Sequence, residues 1–448
     1  MLRRMTDNPT SVRVADTARV GPPRALAPDL ARGFMLLLIV LANIPWFLYG
    51  AQHGLSVGHP VGATGVDRVV QTLMIVLVDA RALPMFALLF GYGMVQFARA
   101  QEARGTPVAG FRAMFRRRHV ALVVIGTLHA ALLWYGDVLG PYGILGLVLV
   151  PLLFWRSTRA IRIVRGVLVG LLAVFAALSV VSGVALLSVP QESWDTAMWM
   201  PATTDANGIS SYAASVLPRL GEYAFILGFS VFSLSVPAAI LTGWLWAREG
   251  VLDRPTEHLP RLRRTALVGL PVAWLGGVPL MLVHTGVWLT PELSFMFIGV
   301  QMLTGLAGGL GYAAVFGLVA ARLQSRSGAA EPESAGRGAP GQVAGALAAV
   351  GRRSLSAYLW QSVVMAPLMA AWGFGLGGRI GSAGAAAVAI LIWLASVGWC
   401  AWLDRAGRPG PAEVVLRRVT YATEVAPSPR SARRADGPVC QATKMQNG

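Results

Sequence analysis

Lysine is nearly missing from this chain of 448 residues: of its 38 basic residues only Lys444 is a lysine. That bias reads as codon usage and carries no function. Cysteine is scarce as well. Cys400 and Cys440 stand far apart, one in an apolar segment and one near the end, which excludes a disulfide framework and a zinc site. Charged residues make up 13%, against about 25% in soluble domains. No Walker motif, well-placed Rossmann fingerprint, His-Glu-x-x-His pair or nucleophile elbow occurs, so none of those chemistries has a sequence basis. A cleavable signal peptide is not expected either. Residues 1–32 are polar, Pro-rich and basic, and the first apolar run is long enough to stay as an anchor.

What the chain has in abundance is apolar runs. Hydrophobic residues reach 55%, in stretches such as 33–50, 83–98 and 120–135 and at least seven later ones. A helix rises about 1.5 Å per residue, so roughly 20 apolar residues cross a hydrocarbon core. The fold class expected is all-α: a polytopic transmembrane helical bundle of about ten spans. A formal charge of +17 in a soluble protein would suggest nucleic acid. Here most of the arginines sit in 1–32, 99–118, 156–165, 248–264, 322–342 and beyond 405. The alternate segments 51–66, 136–142, 190–216, 284–292 and 375–382 lack them, Arg379 excepted. That alternation follows the positive-inside pattern. It predicts cytoplasmic N- and C-termini, the lipid bilayer as partner, no nucleic acid, and a multi-pass location in the inner (plasma) membrane.

One stretch breaks the parity. Residues 66–80 are apolar but carry Asp67, Arg68, Gln71 and Asp79, so they read as an interfacial or re-entrant helix. The organisation expected is a cytoplasmic segment 1–32, a first part of the bundle at 33–321, and a flexible cytoplasmic linker at 322–342. The last two spans and a closing motif follow at 343–421, then a disordered tail at 422–448.

Ionisable groups at membrane depth cost a few kcal/mol each, so each is a candidate site residue. His129 lies near the outer end of the third span, and Asp137 follows it by about two helical turns. An imidazole titrates near neutrality and suits general-base work, and a neighbouring Asp fixes its tautomer. The bland readings stand beside this: His129 bonding a neighbouring helix, Asp137 capping a helix. Asp79 and Arg81, just before Pro84, read as site residues or as an interfacial ion pair. His53 and His59 lie in the first outer segment, within reach of an outward site or simply solvated. His119 joins the preceding Arg run as part of the charge signal. Gly91, Gly93 and the run 305–311 read as places of close helix approach.

Several motifs resemble one known family in order. Residues 24–43 open with Arg-Ala-Leu-Ala-Pro-Asp-Leu-Ala-Arg-Gly and close on Leu-Ala-Asn; 81–93 read Arg-Ala-Leu-Pro-Met-Phe-Ala-Leu-Leu-Phe-Gly-Tyr-Gly. His129 with Trp134-Tyr-Gly-Asp137 and Tyr142, then Gly-Arg-Arg-Ser-Leu-Ser-Ala-Tyr-Leu-Trp-Gln-Ser at 351–362, and Gly-Pro-Ala-Glu near the end, complete the set. The chain resembles the YeiB-like family, the domain of unknown function 418. Pro28, Pro84 and Ala412 depart from the family pattern. The opening element is similar to that of membrane acyltransferases of the heparan glucosaminide acetyltransferase type. The resemblance implies a related fold and acyl transfer across the membrane, from a cytoplasmic donor such as acyl-CoA to a hydroxyl or amine acceptor, a glycan or small molecule of the envelope. Under it His129 is the base and Asp137 orients it. Asp29 and Arg32 lie at the cytoplasmic mouth, where Arg32 suits donor phosphates. Asn43, Asp79, Arg81, Arg352, Arg353 and Gln361 complete the substrate-binding set. No bound cofactor and no metal are expected. The alternative is a multi-span transporter or permease of a small solute, for which internal duplication would speak; no convincing repeat is visible.

Overall fold

The structure, a computed structural model, describes residues 25–54, 57–191, 206–329 and 339–422. It is all-α, with no β-strand among the described residues. Fourteen α-helices follow one another: α1 Leu26–Asn43, α2 Gly65–Leu77, α3 Ala82–Glu102, α4 Val108–Leu132, α5 Leu139–Leu149, α6 Thr158–Leu186 and α7 Tyr212–Phe232. Then come α8 Ser235–Glu249, α9 Leu259–His284, α10 Ile298–Ala329, α11 Ala339–Arg352, α12 Ser354–Met369, α13 Ser382–Arg405 and α14 Pro411–Thr420.

Six helical segments have the length and apolarity to cross a membrane, and the pair α7–α8, bent by 53° at a break after Phe232, is a broken span or a re-entrant loop that brings the number to seven if it crosses. The ten runs expected from the sequence each correspond to a helix or a broken pair. The remaining three fall short for identifiable reasons. The apolar part of α4 starts only after Arg118, α5 with its terminal π turn covers Leu139–Phe154, and α11 and α12 are separate short helices. Helix α2 has 13 residues, about 20 Å at 1.5 Å per residue, and is joined to α3 by a tight corner rather than by a loop.

Small residues set the packing. A Cβ on Gly91 would overlap the Ile240 carbonyl, and one on Gly243 the Leu88 carbonyl, so α3 and α8 meet backbone to backbone. Gly305, Gly308 and Gly309 on α10 make the same kind of room for Ala80, Arg81 and Met85 at the α2–α3 corner. Pro28 and Pro84 fall in the first turns of α1 and α3, where amides have no intrahelical partner to lose. The family departures at these positions therefore leave the helices intact. Asp67 of α2 accepts from Ala383 N at 2.6 Å and caps α13, whose own cap residue, Gly381, has no side chain to do so.

Helix enters the segment 322–342 from both sides, since α10 runs to Ala329 and α11 starts at Ala339. The middle of that expected linker, most of the N-terminal segment 1–32 and the tail from 423 lie outside the described residues.

Candidate functional site

The site forms where α4 stops. The amides of Leu133 and Trp134 both close on the His129 carbonyl, at 2.9 and 3.0 Å, which ends the helix and turns the chain toward Asp137. Trp134, 1% exposed, anchors the turn by stacking on Phe47 with ring centroids 4.4 Å apart. This return brings Asp137 back onto the helix it has just left. His129 Nδ1 lies 2.8 Å from Asp137 Oδ2. The other oxygen, Oδ1, accepts from Gly140 N at 2.9 Å, in the first turn of α5. One carboxylate thus both orients the imidazole and caps a helix; the two readings of Asp137 hold together.

The surroundings explain why the pair stays in place. Gly126 sits one turn before His129, and a Cβ there would overlap both Asp137 Oδ1 and Gly140 N. Tyr358 of α12 donates to Asp137 Oδ2 and accepts from Val138 N, each at 3.4 Å, with its ring 5.2 Å from that of His129. Tyr212 of α7 donates to the Leu132 carbonyl at 2.9 Å. The side chains of His129 and Asp137 are 1% and 0% exposed. His129 Nε2 is buried without a hydrogen-bond partner, as is Gln361 Nε2, one helical turn beyond Tyr358. Since a carboxylate only accepts, Nδ1 is the donor toward Asp137, and neutral imidazole then carries its lone pair on Nε2.

A second polar group lies at the α2–α3 corner. His59 Nε2 is 2.9 Å from Asp79 Oδ2, its ring is 6.0 Å from that of His284, and His284 Nε2 is 3.3 Å from Gln71 Oε1. Gln71 also donates to Pro60 O and Ser382 Oγ, at 2.9 Å each. Arg81 is fully buried and sends its guanidinium to the carbonyls of Ile75, Asp79 and Ala273. It is not a surface ion pair with Asp79. His53 holds the same outer segment through the Pro45 carbonyl at 3.3 Å. Gln71, Asp67 and Ser382 line a cavity of about 340 Å³ between this segment and residues 377–382. A second, apolar groove of about 480 Å³ runs between α4 and α14 from Arg116 to Leu128. Neither is lined by His129 or Asp137.

The other sequence candidates divide between mouth and latch. Arg32 Nη1 is 3.3 Å from Asp29 Oδ1, and its Nη2 donates to the Leu89 carbonyl at 3.4 Å. Asn43 closes α1 and is half-buried. Arg352 and Arg353 both pair with Asp404, at 2.7 and 2.9 Å, and Arg353 also donates to the Arg408 carbonyl. Glu413 accepts from the amides of Leu355 and Ser356, at 2.8 and 3.1 Å, and from the Ser356 hydroxyl. The Gly-Arg-Arg-Ser and Gly-Pro-Ala-Glu motifs therefore bind each other, with Glu413 capping α12 from α14. His119 is not part of the charge signal: it is 1% exposed, stacked on Phe115 and bonded to the Phe115 carbonyl at 2.7 Å. No group of three or more His, Cys, Asp or Glu able to hold a metal occurs among the described residues. Tyr358 and Arg219 escape a reading of single segments because Asp137 and Trp372, which they meet, lie on other segments of the chain.

Comparison with known proteins agrees with the motifs. Residues 246–423 match the family described as "Protein of unknown function (DUF418)". The chain is 24% identical over 415 residues to the uncharacterized protein YxaH of Bacillus subtilis (strain 168), covering 88% of this chain and 93% of that one. It is 25% identical over 413 residues to the uncharacterized protein YeiB of Escherichia coli (strain K12), covering 89% and 96%. An uncharacterized 39.9 kDa protein from the amylase 3' region of Bacillus acidopullulyticus is 26% identical over 279 residues, covering 61% and 68%. No solved structure matches. Together with the motifs in family order, these matches make the chain similar to the DUF418 family over residues 246–423 and to YxaH and YeiB over most of its length.

Proposed function

We propose that this protein is an integral acyltransferase of the plasma (inner) membrane, moving an acyl group from acyl-CoA on the arginine-rich side to a hydroxyl or amine acceptor of the envelope. The observation that supports it is the His129 imidazole, fixed through Nδ1 by Asp137 at 2.8 Å, with Nε2 buried and unpartnered. In this reading Nε2 takes the proton of the acceptor as its oxygen or nitrogen attacks the acyl carbonyl. The thioester C–S bond then breaks, and the proton passes to the departing CoA thiolate. Asp137 stabilises the imidazolium formed in between. Gln361, one turn beyond Tyr358, supplies an unused amide donor for the carbonyl oxygen. Arg32 meets donor phosphates at the mouth, beside Asp29; Asn43 and Asp79 lie toward the acceptor's side, while Arg81 and Arg352 hold helices together.

The ring is closed off in this structure, so acceptor entry requires α7 or α12 to move away from it. The test is the acyl content of envelope glycans in a deletion strain complemented with His129→Ala. Deletion and His129→Ala should lower it alike. A deletion effect fully restored by His129→Ala would end the catalytic assignment. One observation favours a transporter instead: the broken α7–α8 span, a feature of substrate sites in carriers. Uptake of a labelled solute into vesicles lacking any acyl donor would support that reading.

A further inference from the structure

Arg219 is a buried cation that the site described above leaves unused. On α7, Tyr212, Arg219 and Tyr223 recur at i, i+7 and i+11, and so share one face. Both tyrosines pin that face to the dyad's surroundings. Tyr212 donates to the carbonyl of Leu132, three residues past His129. The Tyr223 hydroxyl packs on Gly140 so closely that a Cβ there would overlap it, and Gly140 is the residue whose amide holds Asp137. Arg219 therefore lies between two contacts that fasten α7 to the ends of α4 and α5.

Its own donors have nowhere to go. Arg219 is 0% exposed, and none of Nε, Nη1 and Nη2 has a hydrogen-bond partner. The buried arginines Arg81 and Arg353, by contrast, each place their Nη groups on protein oxygens. The nearest acid in sequence, Glu222, turns Oε1 to the Ala206 amide at 3.4 Å. The guanidinium carbon stands 5.0 Å from the Tyr212 ring and 5.7 Å from the Trp372 ring. The two rings are themselves only 4.9 Å apart, so they hold the cation from one side; none of its N–H donors is consumed, and these suit a planar or tetrahedral oxyanion. Leaving such donors unmet away from water is unfavourable unless something meets them.

We propose that Arg219 anchors the oxyanion, phosphate or carboxylate, of a ligand that approaches the His129–Asp137 pair from the membrane face opposite the arginine-rich segments. That this ligand is the acyl acceptor rests on the transferase reading; capture of the anion does not. The test uses the full-length protein in a neutral detergent. Thermal unfolding is followed while chloride is replaced by inorganic phosphate or by acetate at constant ionic strength. The wild type should be stabilised in a saturating manner by one of them, which tells a phosphate ligand from a carboxylate. Arg219→Gln should lose at least about tenfold in apparent affinity, as expected for charge-assisted bonds, and Arg219→Lys should retain part of the response. Without added anion, Arg219→Met should unfold at the wild-type temperature or above, because a buried charge without partners costs stability. Identical responses in wild type and Arg219→Gln, including none in either, would overturn the proposal. So would a marked loss of stability in anion-free Arg219→Met, which would make the arginine a packing group.

Discussion

Gly126→Ala tests the geometry around the dyad with a single methyl group. Position 126 is one turn before His129 on α4, and the added carbon would overlap Asp137 Oδ1 and the Gly140 amide nitrogen. Those are the two ends of the 2.9 Å bond that caps α5. A side-chain oxygen can rotate away, but the amide belongs to the backbone, so α4 and α5 must separate or the carboxylate must leave. Overpacking costs about 1–3 kcal/mol. A lost hydrogen bond to a charged group costs roughly 1.5–3 kcal/mol more. Alanine returns up to about 1 kcal/mol of helix propensity. The net expectation is a destabilisation of about 2–5 kcal/mol, together with loss of acyl transfer as Asp137 swings off Nδ1. The control is Gly170→Ala in α6, where nothing lies within 4 Å of the new carbon; it should be neutral or slightly stabilising. Both are read by thermal unfolding in detergent, followed by tryptophan fluorescence. If Gly126→Ala unfolds no earlier than Gly170→Ala, the packing of Asp137 against α4 is wrong.

Glu413→Ala should cost about 2–3 kcal/mol, because it strips the Leu355 and Ser356 amides of their acceptor. Glu413→Gln keeps one carbonyl oxygen and should cost about half as much; protease cleavage between α13 and α14, measured as a rate, should rank the two in that order. Cys400 is 0% exposed on α13. In a Cys440→Ser background its reaction with a maleimide should therefore await unfolding, and prompt labelling of the native protein would contradict its placement.

The span pattern was legible because a bilayer leaves a chain few options: residues that face lipid must be apolar for the length of a helix. Candidate His129 was legible for the same reason, as an ionisable group where lipid penalises one. Asp137 was legible as its partner or as a helix cap, but the turn that brings the two together was not. Eight residues separate them, and they meet only because α4 stops at Leu132 and the chain doubles back, which depends on Trp134 finding Phe47. Arg81 and Asp79 read as a pair because they are neighbours in sequence. The guanidinium instead reaches α9 at Ala273, a contact made possible by Gly308 of α10, where a Cβ would overlap the Arg81 side chain. Arg352 and Arg353 read as cavity residues, since polar groups near a span suggest substrate. The acid that occupies them, Asp404, lies at the far end of another helix. Arg219 drew no notice because Trp372, which joins Tyr212 in holding it, comes from a distant part of the chain.

The central claim is that His129 transfers the acceptor's proton. It is tested most directly by supplying radiolabelled acyl-CoA to membranes from a deletion strain carrying the wild-type protein, His129→Ala or Asp137→Asn. The account predicts label in the glycan fraction with wild type, a loss of about a hundredfold or more with His129→Ala, and an intermediate loss with Asp137→Asn at unchanged protein level. Equal incorporation by wild type and His129→Ala would contradict it.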